Sequence, residues 1–446
     1  MSASVTNDLR TLLLDQLRSD VESGDAASSR YYVAISRSKD FIPETNIDSR
    51  SEQFKFRNAM QAVKVLSKAS FVIPTVTWQT NDVYEPYNST DPDQTRFYVI
   101  NSSNEVFICI DSTGDPSTVE PTALSVNSKP YTFSTGDGYY WRFMYKMSNL
   151  AYSNFRTLKY TPVKKVTGTV SIAQEEQQQR LQDSAVDGEI LRLQIDSAGI
   201  GYPGIAPIMI SGNGTGASFS ADATSGSITS VSIDSDAYGN FLHGSGYDYA
   251  AADPIGGDGV LTPIFAPKGG LNADPVSSLK SKTLMLQVDI QGDESGTILA
   301  ENDFRQLALI RNPLKGRDPS VVLPDSDFTA NTGIAAKSFN LTPLSVTGTF
   351  SEDALFETSI GSASGKVLFH DTTSNILYYY QDGETEFETF TNGLTITDGT
   401  VSASIQSQNH PEVDAYSGDI LYLNNISAVD RSEDQTEDIR IVIELG

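Results

Sequence analysis

The sequence predicts a mainly β (α+β) protein: a β-sandwich-like discontinuous core with a short N-terminal helix and two inserted β domains. Three observations predict it. Short segments rich in Val, Ile, Thr, Tyr and Phe, broken by Gly, Pro, Asn and Asp, recur from Tyr31 to the C-terminus; YYVAIS, EVFICID, YYWRFMYKM, KTLMLQVDI, NILYYY and IRIVIEL are examples. Helical periodicity is confined to the first 70 or so positions. The span 166–270 is dense in Gly, Ser and Ala and repeats itself. With 446 residues the chain has room for roughly two to four compact units.

The elements follow in order. Thr6 or Asn7 can cap a helix whose Leu9, Leu13, Leu17 and Val21 fall near one face, giving an N-terminal arm over 1–30. That face suits either a partner or the arm's own domain. Phe54, Ala62, Val63 and Leu66 predict a second helix near 51–67. The core is assigned to 31–165, 279–344 and 409–446. Between its pieces lie a Gly-rich β-repeat insertion, 166–278, and a Gly/Ser/Thr-rich β insertion, 345–408; loops on a rigid scaffold accept such additions at low thermodynamic cost.

The repeat is explicit. GEILRLQID at 188–196 returns as GSITSVSID at 226–234, and each copy is followed by a glycine–tyrosine turn, GIGY at 199–202 and GSGY at 244–247, then by Pro-Ile at Pro207 and Pro254. Ile190, Leu193 and Ile195, matched by Ile228, Val231 and Ile233, read as half-buried strands. The stretch 168–182, with QEEQQQR, reads as a polar connector into the repeat.

Composition excludes some functions. Lys and Arg number 31 against 57 Asp and Glu, a formal charge of −26, and positions 1–80 hold ten basic and nine acidic residues, so the excess lies beyond them. Such a surface repels phosphate backbones and anionic membranes. The single cysteine, Cys109, excludes an intramolecular disulfide framework and reads as a buried strand residue. No leader-like or membrane-spanning apolar run is read from the sequence, so the expectation is a soluble chain assembled in a reducing compartment.

Catalytic and metal motifs are weak. His243, His370 and His410 are isolated in Gly-, Asp- or Pro-flanked segments and read as surface or loop residues. GSASG at 361–365 lies in a strand–turn–strand setting, which cannot present a nucleophilic serine above a helix. SGNGTGAS around Gly212, Gly214 and Gly216 lacks the Lys-Ser/Thr of a phosphate loop, and Asp234, Asp236 and Gly239 fall short of the oxygen ligands a calcium loop needs. The expectation is a non-enzyme with no cofactor, metal or small-molecule substrate.

Aromatic and arginine positions carry more. Pro74 and Pro86 stiffen a segment holding Trp78, Tyr84 and Tyr87, and GDGYYWRFMYKM at 136–147 opens with a turn and then crowds aromatics into one strand. Alternation sends Tyr140, Arg142 and Met144 to one face and Trp141, Phe143 and Tyr145 to the other, so the strand is covered twice. The second cover is either a partner chain, since Trp, Tyr and Arg dominate interfaces, or the protein's own sandwich. Candidate contact residues are Trp78, Tyr84, Tyr87, Tyr140, Arg142, Arg305 and Arg311.

Four segments, in order, resemble the small, dimer-forming baseplate wedge subunit of T-even-like contractile-tailed bacteriophages. They are VKVLSKASFVIPTVTWQTNDVYEPY at 63–87; VFICID followed by GDGYYWRFMYKM; DFRQLALIRNPL at 303–314; and SGDILYLNNISAVDRSEDQTEDIRIVIEL at 417–445. They cover roughly a third of the chain, and their order makes them more specific than any single motif. The two insertions look like additions to the shorter T-even form, and the Gly-rich repeats resemble decorations of tail proteins from phages of marine cyanobacteria. The resemblance implies a structural virion part: a homodimer bound to other baseplate wedge proteins, built in the bacterial cytoplasm, that relays the rearrangement triggering sheath contraction. The competing class is a β-rich host-recognition protein or glycan depolymerase of the tail.

Overall fold

The computed structural model describes residues 6–23, 29–38, 49–123, 132–300, 302–316, 318–322, 331–343 and 348–445. The protein is mainly β, with a short N-terminal helix and several sheets. It divides into two compact units: 1–15 with 70–285 and 442–446, and 16–69 with 286–441. The predicted core segments are thus shared between units: 70–165, 279–285 and 442–446 fall with the repeat, and 31–69, 286–344 and 409–441 with the second Gly/Ser/Thr-rich stretch.

The helix Asn7–Ser23 is capped by Thr6, whose Oγ1 accepts from the Leu9 N–H at 3.3 Å, and it buries Leu14 and Val21.

In the first unit, a four-stranded antiparallel sheet runs in the order Tyr98–Ile100, Glu105–Ser112, Tyr139–Lys146, Thr132–Ser134. Phe107 faces Phe143 and Cys109 faces Trp141 across its centre. The connector expected at 168–182 contains a helix, Ala173–Asp183. Its Glu and Gln residues are strong helix formers, Leu181 packs under Tyr84 and Trp141, and the Gln178 and Gln182 side chains bond the backbone at Lys164 and Val166.

The repeat forms a six-stranded sheet in the order Ser227–Ile233, Phe219–Thr224, Ile205–Gly212, Ala250–Pro254, Val260–Phe265, Ile190–Ser197. Exchanging the two copies reverses this order onto itself, so an approximate two-fold passes between Ile205–Gly212 and Ala250–Pro254. Each copy's first strand pairs with the last strand of the other. The turns are reciprocal too: Gly226 O accepts from the Tyr202 N–H (3.1 Å) and Gly188 O from the Tyr247 N–H (3.2 Å).

In the second unit, a five-stranded antiparallel sheet has the order Thr332–Ile334, Met60–Val65, Tyr31–Ser36, Asp303–Arg311, Asp419–Asp430. The helix expected over 51–67 ends early: Arg50–Asn58 is helical, and Met60–Val65 is a strand. Ala62 and Val63 pair on one side with Ile35 and Ala34 and on the other with Ile334 and Gly333. Two ladders of backbone bonds, with β-branched Val63 at their centre, outweigh the local helical spacing. The second insertion is a closed six-stranded barrel, Lys337–Leu341, Ile376–Tyr380, Ser364–Asp371, Leu355–Thr358, Thr395–Thr397, Ser402–Asn409. It starts at Lys337 rather than 345, because Lys337–Leu341 bonds two neighbours and completes the ring.

Candidate functional site

The aromatic stretches around Trp78 and Trp141 are built around one carboxylate. Asp137, in the GDGY turn, accepts from Ser117 Oγ (3.0 Å), from the Thr118 and Val119 N–H groups (2.8 and 3.0 Å) and from Thr135 Oγ1 (2.5 Å). Burial would raise its pKa, but these bonds outweigh it and hold the carboxyl below its ordinary range. The loop so anchored carries Ser117 to Trp78, whose Nε1 donates to Ser117 Oγ at 3.1 Å. Tyr84 packs edge-on against Tyr139 and Trp141, its N–H donating to Tyr139 Oη at 3.2 Å. Tyr87 stands edge-on to Phe97, and Lys280 Nζ lies 4.7 Å from both rings while donating to Asn88 O and Asp91 O, each at 2.6 Å. Burial lowers the Lys280 pKa to about 8 and raises that of Tyr87 to about 12.

The second cover of the Tyr139–Lys146 strand is the protein's own repeat sheet. Tyr140 meets Phe241 edge-on, and Arg142 reaches Glu189 through both terminal nitrogens at 3.2 and 3.4 Å, with Asn272 Oδ1 at 3.5 Å and Thr132 Oγ1 beside it. Arg142, Glu189, Asn272 and Thr132 are all buried. His243 is buried next to them, its Nδ1 3.0 Å from Ile190 O; burial and then the Arg142 charge push its pKa down to about 4, so it is neutral.

A matching node joins the barrel to the five-stranded sheet. Arg37, buried at the end of YYVAIS, lies 2.7 Å from Asp303 and 2.5 Å from Glu352, and donates to Leu368 O; Arg305 bridges Asp303 and Asp353 at 2.8 and 3.3 Å.

The structure therefore redistributes the seven candidate contacts. Tyr84, Tyr87 and Arg142 are buried inside the chain and leave no side-chain surface for a partner. Trp78 and Tyr140 are half-buried and engaged internally. Arg305 and Arg311 are both half-buried and paired, Arg305 to Asp303 and Arg311 to Asp419 at 2.7 Å. The first five belong to one unit and Arg305 and Arg311 to the other. Sequence reasoning missed Arg37 and Glu189. Each follows or opens an apolar strand segment, which is the available signal for a buried charge.

The weaker motifs are structural. His370, like His243, is a buried strand residue rather than a surface one; its Nδ1 accepts from the Phe350 N–H at 3.1 Å, and burial lowers its pKa. Asp234 accepts from Ser218 and Ser220, and Asp236 from Tyr238 and Asn240 backbone N–H groups, so both close loops. Among the described residues, no group of three or more His, Cys, Asp or Glu side chains could hold a metal ion. Cys109 is buried, which pushes its thiol pKa well up and disfavours the nucleophilic thiolate. No helix of the described residues is long and apolar enough to cross a membrane. No protein-family model matches the chain, and no curated protein matches it.

Proposed function

We propose that this chain is a structural subunit of a contractile-tail baseplate wedge, a homodimer that holds other wedge proteins and takes no cofactor or substrate. One observation carries the reading: the four segments that resemble the wedge family are not scattered on the surface but join in pairs as framework. Tyr84 of the first segment packs on Tyr139 and Trp141 of the second, while strand Asp303–Arg311 of the third pairs along its length with Asp419–Asp430 of the fourth. A resemblance confined to interlocking interior strands suits inheritance of a scaffold. The two insertions then decorate that scaffold, each held by a buried arginine node.

A rigid relay follows from these nodes. The chain passes on baseplate rearrangement by keeping its own fold and changing its contacts. Native mass measurement and co-expression with the other wedge proteins test the reading: a dimer that enters a wedge complex is expected, and a stable trimer that cleaves host polysaccharide overturns it.

A further inference from the structure

The strand Ile205–Gly212 is apolar on both faces. Ala206 and Ile208 point into the repeat core, as their burial shows, and Ile205, Pro207 and Met209 point out. An antiparallel strand with one solvated face ordinarily alternates apolar and polar residues, so a doubly apolar strand signals a second cover. Among the described residues none is supplied: Ile205 is 74% exposed and Met209 55%. Register extends the patch. The Ile255 N–H donates to Pro207 O at 3.0 Å, which sets Ile255, 56% exposed, beside Pro207, and Val260 on the next strand is 53% exposed.

The rim states what fits. Ile205 pairs with Asp222 and Met209 with Asp253, both exposed, and exposed Asp258 follows Ile255 by three residues. Residues 187–266 hold nine acidic side chains and one basic one, Arg192, which is turned to Tyr87 O at 3.4 Å. A second copy of this face would set aspartate against aspartate. A nucleic acid or anionic membrane meets the same repulsion. A glycan finds no aromatic platform among Ile205, Pro207, Met209, Ile255 and Val260.

We infer that this outer face of the repeat sheet docks a protein partner presenting an apolar ridge flanked by lysine or arginine. The sheet beneath is pre-organised for it, since Tyr202 and Tyr247 are clamped by the opposite copy's glycines and Arg142–Glu189 fixes the domain to the aromatic sheet. The inference rests on the assembly reading in that it seeks the partner among the other wedge proteins.

The test uses the full chain and each of the other wedge proteins, purified singly and titrated by interferometry. The double variant Ile205→Asp/Met209→Asp is expected to weaken one partner by about thirtyfold or more, the size of a hot-spot truncation, with its melting temperature unchanged. Asp222→Asn/Asp253→Asn is expected to flatten the salt dependence of the same association. Equal binding by wild type and the Ile205/Met209 variant overturns this inference and leaves the wedge reading standing. Failure of every wedge protein to bind the wild type overturns both. Self-association or host-polysaccharide binding that the Ile205/Met209 variant abolishes shows a different occupant and overturns the inference alone.

Discussion

The repeat sheet and the barrel each wrap six strands around an apolar interior, but they fill it differently. In the repeat sheet the plugs are two tyrosines pressed against backbone: a Cβ on Gly214 would stand 2.4 Å from the Tyr247 ring, and one on Gly257 2.4 Å from the Tyr202 ring. In the barrel the filling is ring on ring. Phe339 stacks on Tyr379 at 4.2 Å, and Phe356 and Phe390 lie across the same cluster. One interior depends on side chains that are absent and the other on side chains that are large. Opposite substitutions should therefore break them.

The largest effect is expected in the barrel. Phe356→Ala removes a fully buried ring from four aromatic contacts and should cost about 4 kcal/mol, read as loss of a cooperative transition assigned to 337–409 by hydrogen exchange. Next comes the anchoring node: Arg142→Met leaves Glu189 buried without its cation and should cost about 3 kcal/mol. Arg142→Met/Glu189→Leu should recover most of that loss in denaturant unfolding; if it recovers none, the guanidinium matters by packing rather than charge.

A pH dependence probes the first unit, because His243 and Asp111 titrate there with opposite sign. His243 stays neutral when folded down to about 4, whereas the unfolded chain protonates near 6.5. Between those values the unfolded state binds the extra proton, so stability present above pH 6.5 is lost as pH falls toward 4, by up to about 3 kcal/mol. Burial raises the Asp111 carboxyl to about 6, so its contribution runs the other way, fading as pH rises from 3.8 to 6. Asp111→Asn should consequently steepen the acid loss, and His243→Asn should flatten it; identical urea midpoints across pH for all three proteins would remove His243 from the account.

The smallest test is a methyl group. Gly214→Ala should destabilise the repeat sheet by about 2 kcal/mol, since the added carbon meets both the Tyr247 ring and Ser245 O. Gly383→Ala in the barrel, where the added Cβ meets nothing within 4 Å and φ is not positive, should leave its melting temperature within a degree or so.

Much of this architecture was legible in the chain itself. The repeated GxGY turns marked the paired copies, and alternation in YYWRFMYK correctly announced a strand covered on both sides. The N-terminal helix, the strand-rich character and the glycine-dense repeat follow from periodicity and turn chemistry, which depend on neighbours a few positions away. Tertiary structure decided the remainder. It turned the 60–65 segment from helix to strand by offering it two ladders, placed a helix in the polar connector, and made a strand of the repeat the mate of the other copy's last strand. It also chose the second cover for Tyr140 and Arg142: Phe241 and Glu189, about 100 and 47 positions away, rather than another chain. Periodicity tells which side chains share a face; only the folded chain, by bringing distant charges and rings together out of water, tells what lies against it.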